Sequence, residues 1–292
     1  MHAMAAVGDN VRRLGRIVRD CTLCPRNCRV DRQVGRRGAC RIGALAVVAS
    51  AGPHFGEEPV LVGRSGSGTI FFSGCNLACV FCQNCDISQT TVGQEMQPDE
   101  IAELAVSLAD RGCANINFVS PTHVAHAVAE AVRIARGRGL AVPVVYNTGG
   151  YDSLETLQLL EGLVEIYMPD FKWADSAAGQ KYSGVPDYPT VATAAVSEMF
   201  RQIGPLETDS DGLARRGLLV RHLVLPGDLA GSERVVEAVA RIAPGSAINV
   251  MAQYHPAHRA GDYPELQRRP DAAEVAHLRQ LAASLGLLRV DH

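Results

Sequence analysis

From residue 69 onward the chain alternates between two rhythms. Short apolar runs of strand length are each followed by a longer stretch whose apolar residues recur at helical spacing. Strands are predicted at 69–72, 115–120, 143–147, 165–171, 218–225 and 247–254. A helix is predicted from Pro98 to near Gly112, with Ile101, Leu104, Ala105 and Leu108 on one face. Others follow at 123–136, 153–160, 191–203, 232–242 and 271–285. Proline is favoured at the first helical position, which fits Pro98. Six strand–helix units with right-handed crossovers predict an α/β protein with a parallel sheet covered by helices. Six units rather than eight predict a partial (β/α)6 barrel.

Before residue 69 the pattern is less regular. The segment Val11-Arg-Arg-Leu-Gly-Arg-Ile-Val-Arg reads as a basic helix with a solvated face. Residues 44–50 read as a strand and 59–62 as a second short strand, followed by a Gly/Ser loop. The turn between them carries His54, Glu57 and Glu58 and reads as a solvated, charged turn. His54 and Glu57 are secondary candidates for a cavity wall.

Composition narrows the function classes. The chain has 292 residues, a net charge of −3 and 47% hydrophobic residues, enough for one large core or a core with a small module. A near-neutral charge argues against an extended nucleic-acid contact. The best apolar run, 44–51, is far too short to span a membrane, and the N-terminus lacks a signal-peptide pattern. Eight of the nine cysteines fall in two tight groups, which predicts metal ligands in a reducing cytoplasm rather than disulfides.

The first group is Cys21, Cys24, Cys28 and Cys40, spaced C-x2-C-x3-C-x11-C. Four thiolates suit zinc or an iron–sulfur centre, and the Arg- and Gly-rich residues among them have little to bury without a metal. This predicts a cysteine-rich metal module at 1–43 and a barrel domain at 44–292, its core at 69–256. The second group, Cys75, Cys79, Cys82 and Cys85, directly follows the apolar run 69–72. Its first three members, spaced C-x3-C-x2-C with Phe81 before the third, can close on one soft metal centre. Cys85 could supply a fourth ligand, but reads as a bystander thiol.

Active-site groups of parallel barrels gather at the carboxyl ends of the strands. Those positions here hold the cysteines, then Ser120-Pro-Thr-His123, Tyr146-Asn-Thr-Gly-Gly150, Met168-Pro-Asp-Phe-Lys172, Arg221-His222 and Gln253-Tyr-His255.

The cysteine spacing, after a strand and with Phe81 before the third cysteine, resembles the radical S-adenosylmethionine superfamily. The resemblance implies that Cys75, Cys79 and Cys82 hold a [4Fe–4S] cube whose fourth iron is left open to the amino and carboxylate groups of S-adenosylmethionine. An electron from the cluster, itself reduced by a partner such as flavodoxin or ferredoxin, would then enter the sulfonium and release methionine and a 5′-deoxyadenosyl radical that abstracts hydrogen. More narrowly, the chain resembles the activating enzymes of glycyl radical enzymes, such as pyruvate formate-lyase activating enzyme. It also resembles a related uncharacterised branch that carries the N-terminal C-x2-C-P-R-x-C module. Asp170-Phe-Lys172 is similar to the activating enzymes' Asp-x-Lys motif. Arg221, His255 and Asn84 look like residues that approach the cofactor, and Ser120, Thr122, Asn147 and Thr148 are strand-end candidates to join them. The family's Gly-Gly-Glu after the second strand is replaced by Ser120-Pro-Thr-His123.

These features predict a radical enzyme acting on a small molecule, a peptide or a glycyl radical partner. The competing expectation is a non-catalytic iron–sulfur or zinc protein in which Cys85 closes the cluster.

Overall fold

The computed structural model describes residues 2–290. Met1, Asp291 and His292, which the predicted boundaries include, lie outside the described residues. Helix α1 (His2–Ile17) leads through a cysteine-bearing loop to strand β1 (Ala46–His54), helix α2 (Pro59–Val62) and β2 (Ser67–Phe72). The cysteine loop runs into α3 (Cys85–Ser88) and β3 (Gln94–Met96), followed by α4 (Pro98–Asp110) and β4 (Ile116–Val119). Then come α5 (Ala125–Gly137), β5 (Val144–Thr148), α6 (Leu154–Leu159), β6 (Ile166–Pro169), α7 (Ser176–Ser183) and α8 (Tyr188–Ile203). The chain closes with β7 (Glu207–Thr208), β8 (Ala214–Leu223), α9 (Ser232–Ile242), β9 (Ala247–Met251), α10 (Ala272–Ser284) and β10 (Leu288–Arg289).

The sheet runs β10-β9-β8-β6-β5-β4-β2-β1-β3. Its six predicted strands are parallel neighbours, and β1 and β3 continue the β2 edge in antiparallel pairing. Among the described residues β2 and β9 do not pair, so the barrel is partial. Among the described residues no helix is long and apolar enough to cross a membrane.

Expectations for two strands and for the turn at Glu57 and Glu58, whose acids are buried rather than solvated, need correction. Residues 59–62 form a helical turn, not a strand. Pro59 fits the first turn of a helix, and a four-residue apolar run carries no periodicity that separates strand from helix. Leu61 of this turn is fully buried with Val145, Ile166, Met168, Leu219 and Ala247, and together they form the barrel floor. Asn115 Nδ2 donates to the Leu61 carbonyl at 2.7 Å and anchors the turn there. The last strand ends at Met251, three residues before its predicted limit, and Gln253 beyond it turns to the cavity described below.

Helix α7 was invisible to periodicity because its apolar positions are few. It is set instead by its ends: Asp175 accepts from Ala178 N at 2.9 Å, and Gly184 closes it at φ +67. Helix α4 has a capping box, with Gln97 N donating to Glu100 Oε2 at 2.7 Å.

The cysteine-bearing N-terminal segment packs onto the barrel. Val11, Leu14 and Val18 of its helical part, with Leu23 and Ile42, belong to the same continuous core as the barrel helices. Burying Leu14 fully contributes about 2 kcal/mol by itself. Polar ties add register: Thr156 Oγ1 donates to the Leu23 carbonyl at 2.9 Å, and buried Arg32 donates to the carbonyls of Gly43 and His123, each at 2.7 Å.

Candidate functional site

A cavity of about 250 Å³ opens at the carboxyl ends of the barrel strands. The three cysteines Cys75, Cys79 and Cys82 line it, with Phe81 and Asn84 from the same loop. Ser120 and Thr122 line it from the end of β4, Asn147 and Thr148 from β5, Asp170 and Lys172 from beyond β6, and Arg221 from β8. His255 is not part of the wall: its Nδ1 lies 3.1 Å from Nε2 of Gln83, which is. Cys85 does not line the cavity and instead opens α3.

The cysteine loop is held by backbone and ring contacts. Val80 N donates to Tyr182 O at 2.9 Å, and Phe81 packs edge-on against Trp173 and Tyr254, ring centroids 5.7 and 6.0 Å away. Gly74, at φ +78, enters the loop where a Cβ would stand 2.6 Å from the Cys40 carbonyl. Only glycine permits that approach to the N-terminal segment. Burial pushes the Cys75 thiol up to about 12 and raises Cys79 as well. Hydroxyls face two of the sulfurs: Ser183 Oγ lies 3.0 Å from Cys79 Sγ, and Ser88 Oγ 3.1 Å from Cys82 Sγ.

Opposite the cysteines is an ion triplet. Lys172 Nζ donates to Asp170 Oδ2 at 2.5 Å, and Arg221 Nε donates to Asp170 Oδ1 at 2.9 Å. Arg221 Nη2 also donates to Asn147 Oδ1 at 2.8 Å. Burial alone would raise the Asp170 carboxyl, but Arg221 and Lys172 hold it below the usual range. Burial works against the charge of Lys172, and Asp170 overcomes it, so the ammonium stays protonated. His222, next in sequence, is wholly buried with its ring nitrogens on Phe171 O and Ser232 Oγ, a core histidine facing away from the site.

Sequence reasoning missed Asp152, which lies under the site with 2% of its surface exposed. Thr122 Oγ1 donates to its Oδ1 at 2.8 Å and Thr148 Oγ1 to its Oδ2 at 2.6 Å, so this carboxylate orients two cavity-lining hydroxyls. It was overlooked because an acid before Ser153 reads as a helix start. His123, the last residue of the strand-end group that begins at Ser120, also lines the cavity and is held neutral by burial, its pKa lowered to about 3. Its Nε2 therefore donates to Ser73 O at 2.8 Å. Ser120 stands at φ +59, a left-handed conformation costing about 1–2 kcal/mol for a residue with a Cβ.

A second, much smaller cavity is lined by all four cysteines of the first group, Cys21, Cys24, Cys28 and Cys40, with Arg32 and again His123. Among the described residues no three His, Cys, Asp or Glu side chains are grouped so as to hold a metal ion.

Residues 69–170 match the family model for the Radical SAM superfamily. The uncharacterized protein MJ0674 of Methanocaldococcus jannaschii is 31% identical over 279 residues, a stretch covering 93% of this chain and 76% of that protein. The chain belongs to the radical SAM superfamily. Membership carries the superfamily's general chemistry, the cleavage of S-adenosylmethionine to start a radical reaction. MJ0808 of the same organism is 28% identical over 157 residues, and the match spans 46% of its length. A radical SAM methyltransferase from Sphaerobacter thermophilus has a similar fold, with a TM-score of 0.53 at 17% identity over 77% of this chain and 66% of that one. The chain thus spans just under two thirds of the methyltransferase and less than half of MJ0808. The loop with Cys75, Cys79 and Cys82 falls within the matched region, as do all the cavity residues up to Asp170.

Proposed function

We propose that the chain is a radical S-adenosylmethionine enzyme in which Cys75, Cys79 and Cys82 hold a [4Fe–4S] cluster beside a bound S-adenosylmethionine. One observation carries this reading: the three thiols share a single cavity with Asn147, Asp170, Lys172 and Arg221, whereas Cys85 lies off its wall. Three ligands rather than four leave a coordination position for the substrate. The donor set fits the cluster, because desolvated thiols gain most from a metal that accepts their thiolates, and Ser183 and Ser88 can donate to the sulfurs. When bound, the cluster supplies the electron that splits S-adenosylmethionine into methionine and a 5′-deoxyadenosyl radical.

The chain's own residues bind and orient. Asp170 fixes the Lys172 ammonium and the Arg221 guanidinium so that both reach the cavity without losing their charge. Asn147 and the Asp152-oriented hydroxyls of Thr122 and Thr148 offer hydrogen bonds to the polar groups of the nucleoside and amino acid. Val119, Leu223 and Met251 complete the wall with apolar surface that keeps water from a reactive radical.

The same reading assigns Cys21, Cys24, Cys28 and Cys40 to a second centre, zinc or iron–sulfur. Burial, reinforced by the other three sulfurs, pushes the Cys24 thiol up to about 12, and a metal would relieve it. Ala39 N donates to Cys28 Sγ at 3.3 Å, and a Cβ on Gly38 would stand 2.6 Å from that sulfur, so the loop is shaped around it. A flavodoxin or ferredoxin would serve as reductant. The substrate is a small molecule, a peptide or a glycyl radical partner.

Electron paramagnetic resonance of the reduced chain tests the open-cluster reading. The cluster signal of wild type and of Cys85→Ala should change on addition of S-adenosylmethionine. A wild-type spectrum that stays unmoved, with the signal of Cys85→Ala lost or newly responsive, would favour a closed, electron-carrying cluster.

A further inference from the structure

Between the barrel floor and the cavity lies a polar tier that neither the cysteine loop nor cofactor binding explains. Three strands reach it in the same rhythm. On β8 the series is Leu219, Arg221, Leu223; on β9 it is Ala247, Asn249, Met251; before and along β4 it is Asn115, Asn117, Val119. In each series the first residue belongs to the floor or bonds to it, and the third lines the cavity. Side chains two apart on a strand share a face, so Arg221, Asn249 and Asn117 all stand at the middle level.

Into this level the β1–α2 turn sends Glu57 and Glu58, which are 7% and 3% exposed. Their depth follows from Leu61, three residues on, which is planted in the floor. Asn249 Nδ2 donates to Glu58 Oε1 at 3.0 Å. The other Glu58 oxygen has no partner, and neither does the amide oxygen or nitrogen of Asn117, a residue with no exposed surface. Buried polar atoms without partners are uncommon, and a wholly unpaired asparagine costs stability unless something binds it. The tier communicates with the cavity through Arg221, which lines the cavity and whose charge acts on both Glu57 and Glu58.

The charges are unbalanced. Asp170, Glu57 and Glu58 face two cations, Lys172 and Arg221, and Asp170 already engages both. His54 meets Glu57 at 3.0 Å from the solvent side. That leaves Glu58 buried with an open acceptor and, among the described residues, no ion pair, the charge of Arg221 acting on it without contact.

We infer that this tier is the substrate-recognition site and that it takes a cationic amine. The N–H groups of the amine would be accepted by Glu58 Oε2 and the Asn117 carbonyl, while the Asn117 amide donates to a neighbouring acceptor on the same molecule. This inference rests on the cavity being the S-adenosylmethionine site, since the amine-bearing substrate would then lie directly below the radical.

Saturation-transfer NMR on the anaerobic, cluster-loaded, oxidised full chain tests it, with n-butylamine as probe and n-butanol and butyrate as controls of the same size. Butylamine should bind and the controls should not. Glu58→Gln should weaken butylamine by about tenfold, the loss of one charge-assisted hydrogen bond. Should Glu58→Gln fail to fold by circular dichroism, Asn117→Ala measures the same site. Butylamine binding no better than butanol, or unaltered by either variant, would overturn the inference and leave a tier that holds only water. Formation of 5′-deoxyadenosine once the same samples are reduced and given S-adenosylmethionine separates the two levels. Cleavage without amine binding sinks this inference alone, and amine binding without cleavage sinks the radical reading and leaves an amine site with no substrate role.

Discussion

Arg221 reaches across from β8 to bond Asp170 at 2.9 Å, and this one contact ties the last strands of the barrel to the Asp-Phe-Lys segment facing the cysteines. Asp170 and Arg221 side chains are 16% and 18% exposed, so the pair is largely desolvated. Asp170→Asn would leave Arg221 and Lys172 buried without the carboxylate that both bond. Such breakage costs about 3 kcal/mol, the low end of the range for buried pairs because some solvent reaches both groups. Chemical denaturation should show that loss, and binding of S-adenosylmethionine should weaken with it. A variant as stable as wild type would mean the triplet is solvated.

Cys24→Ala should remove the metal of the N-terminal cysteines while the barrel cluster still assembles. Iron and zinc analysis of the purified variant checks this. Loss of all iron would mean that the two groups fold as one unit, joined where Gly74 packs against Cys40.

Asp152 sets a pH dependence. Burial raises its carboxyl from 3.8 to about 6, even though Thr148, Thr122 and Tyr146 hydroxyls favour the ionised form. The folded chain therefore holds this proton more tightly than the unfolded one, so stability falls as pH rises from about 4 through 6. The full effect is about 3 kcal/mol above that window and absent below it. Asp152→Asn should abolish that slope, gaining on wild type as pH rises to 7 in urea titrations. Parallel profiles for the two proteins would contradict it.

Gly150 stands at φ +77, and a Cβ there would come within 2.1 Å of the Asp170 carbonyl. Gly150→Ala combines a strained backbone with a clash against backbone, so it should destabilise by more than about 1 kcal/mol and displace Asp170. Thermal unfolding and S-adenosylmethionine affinity should fall together. An unchanged affinity would separate this turn from the site.

The parts of this site that could be read from sequence are those whose signal is local. Cys75, Cys79 and Cys82 announce themselves by spacing, and Asp170, Lys172 and Arg221 by their place at strand ends, which the barrel pattern supplies. Asp152 and Glu58 could not be found that way. Each lies in a turn whose charged residues look solvated, and only the tertiary fold buries them: one under two threonine hydroxyls, the other beneath the cavity because Leu61 pulls its turn inward. Tyr188 is a further example, since its hydroxyl lies 2.9 Å from the carbonyls of both Gly149 and Asp170 and clamps two strand ends from a helix. The helical turn 59–62 was misread for the same reason, its identity being fixed by what it plugs.

The most direct test of the account is the formation of 5′-deoxyadenosine. The anaerobically reconstituted and reduced chain is mixed with S-adenosylmethionine, and the product is followed by chromatography and mass spectrometry for wild type and for Cys79→Ala. The account predicts 5′-deoxyadenosine from the wild type and none from the variant. An intact, reducible cluster in the wild type that yields no 5′-deoxyadenosine, with or without an added amine substrate, would contradict it.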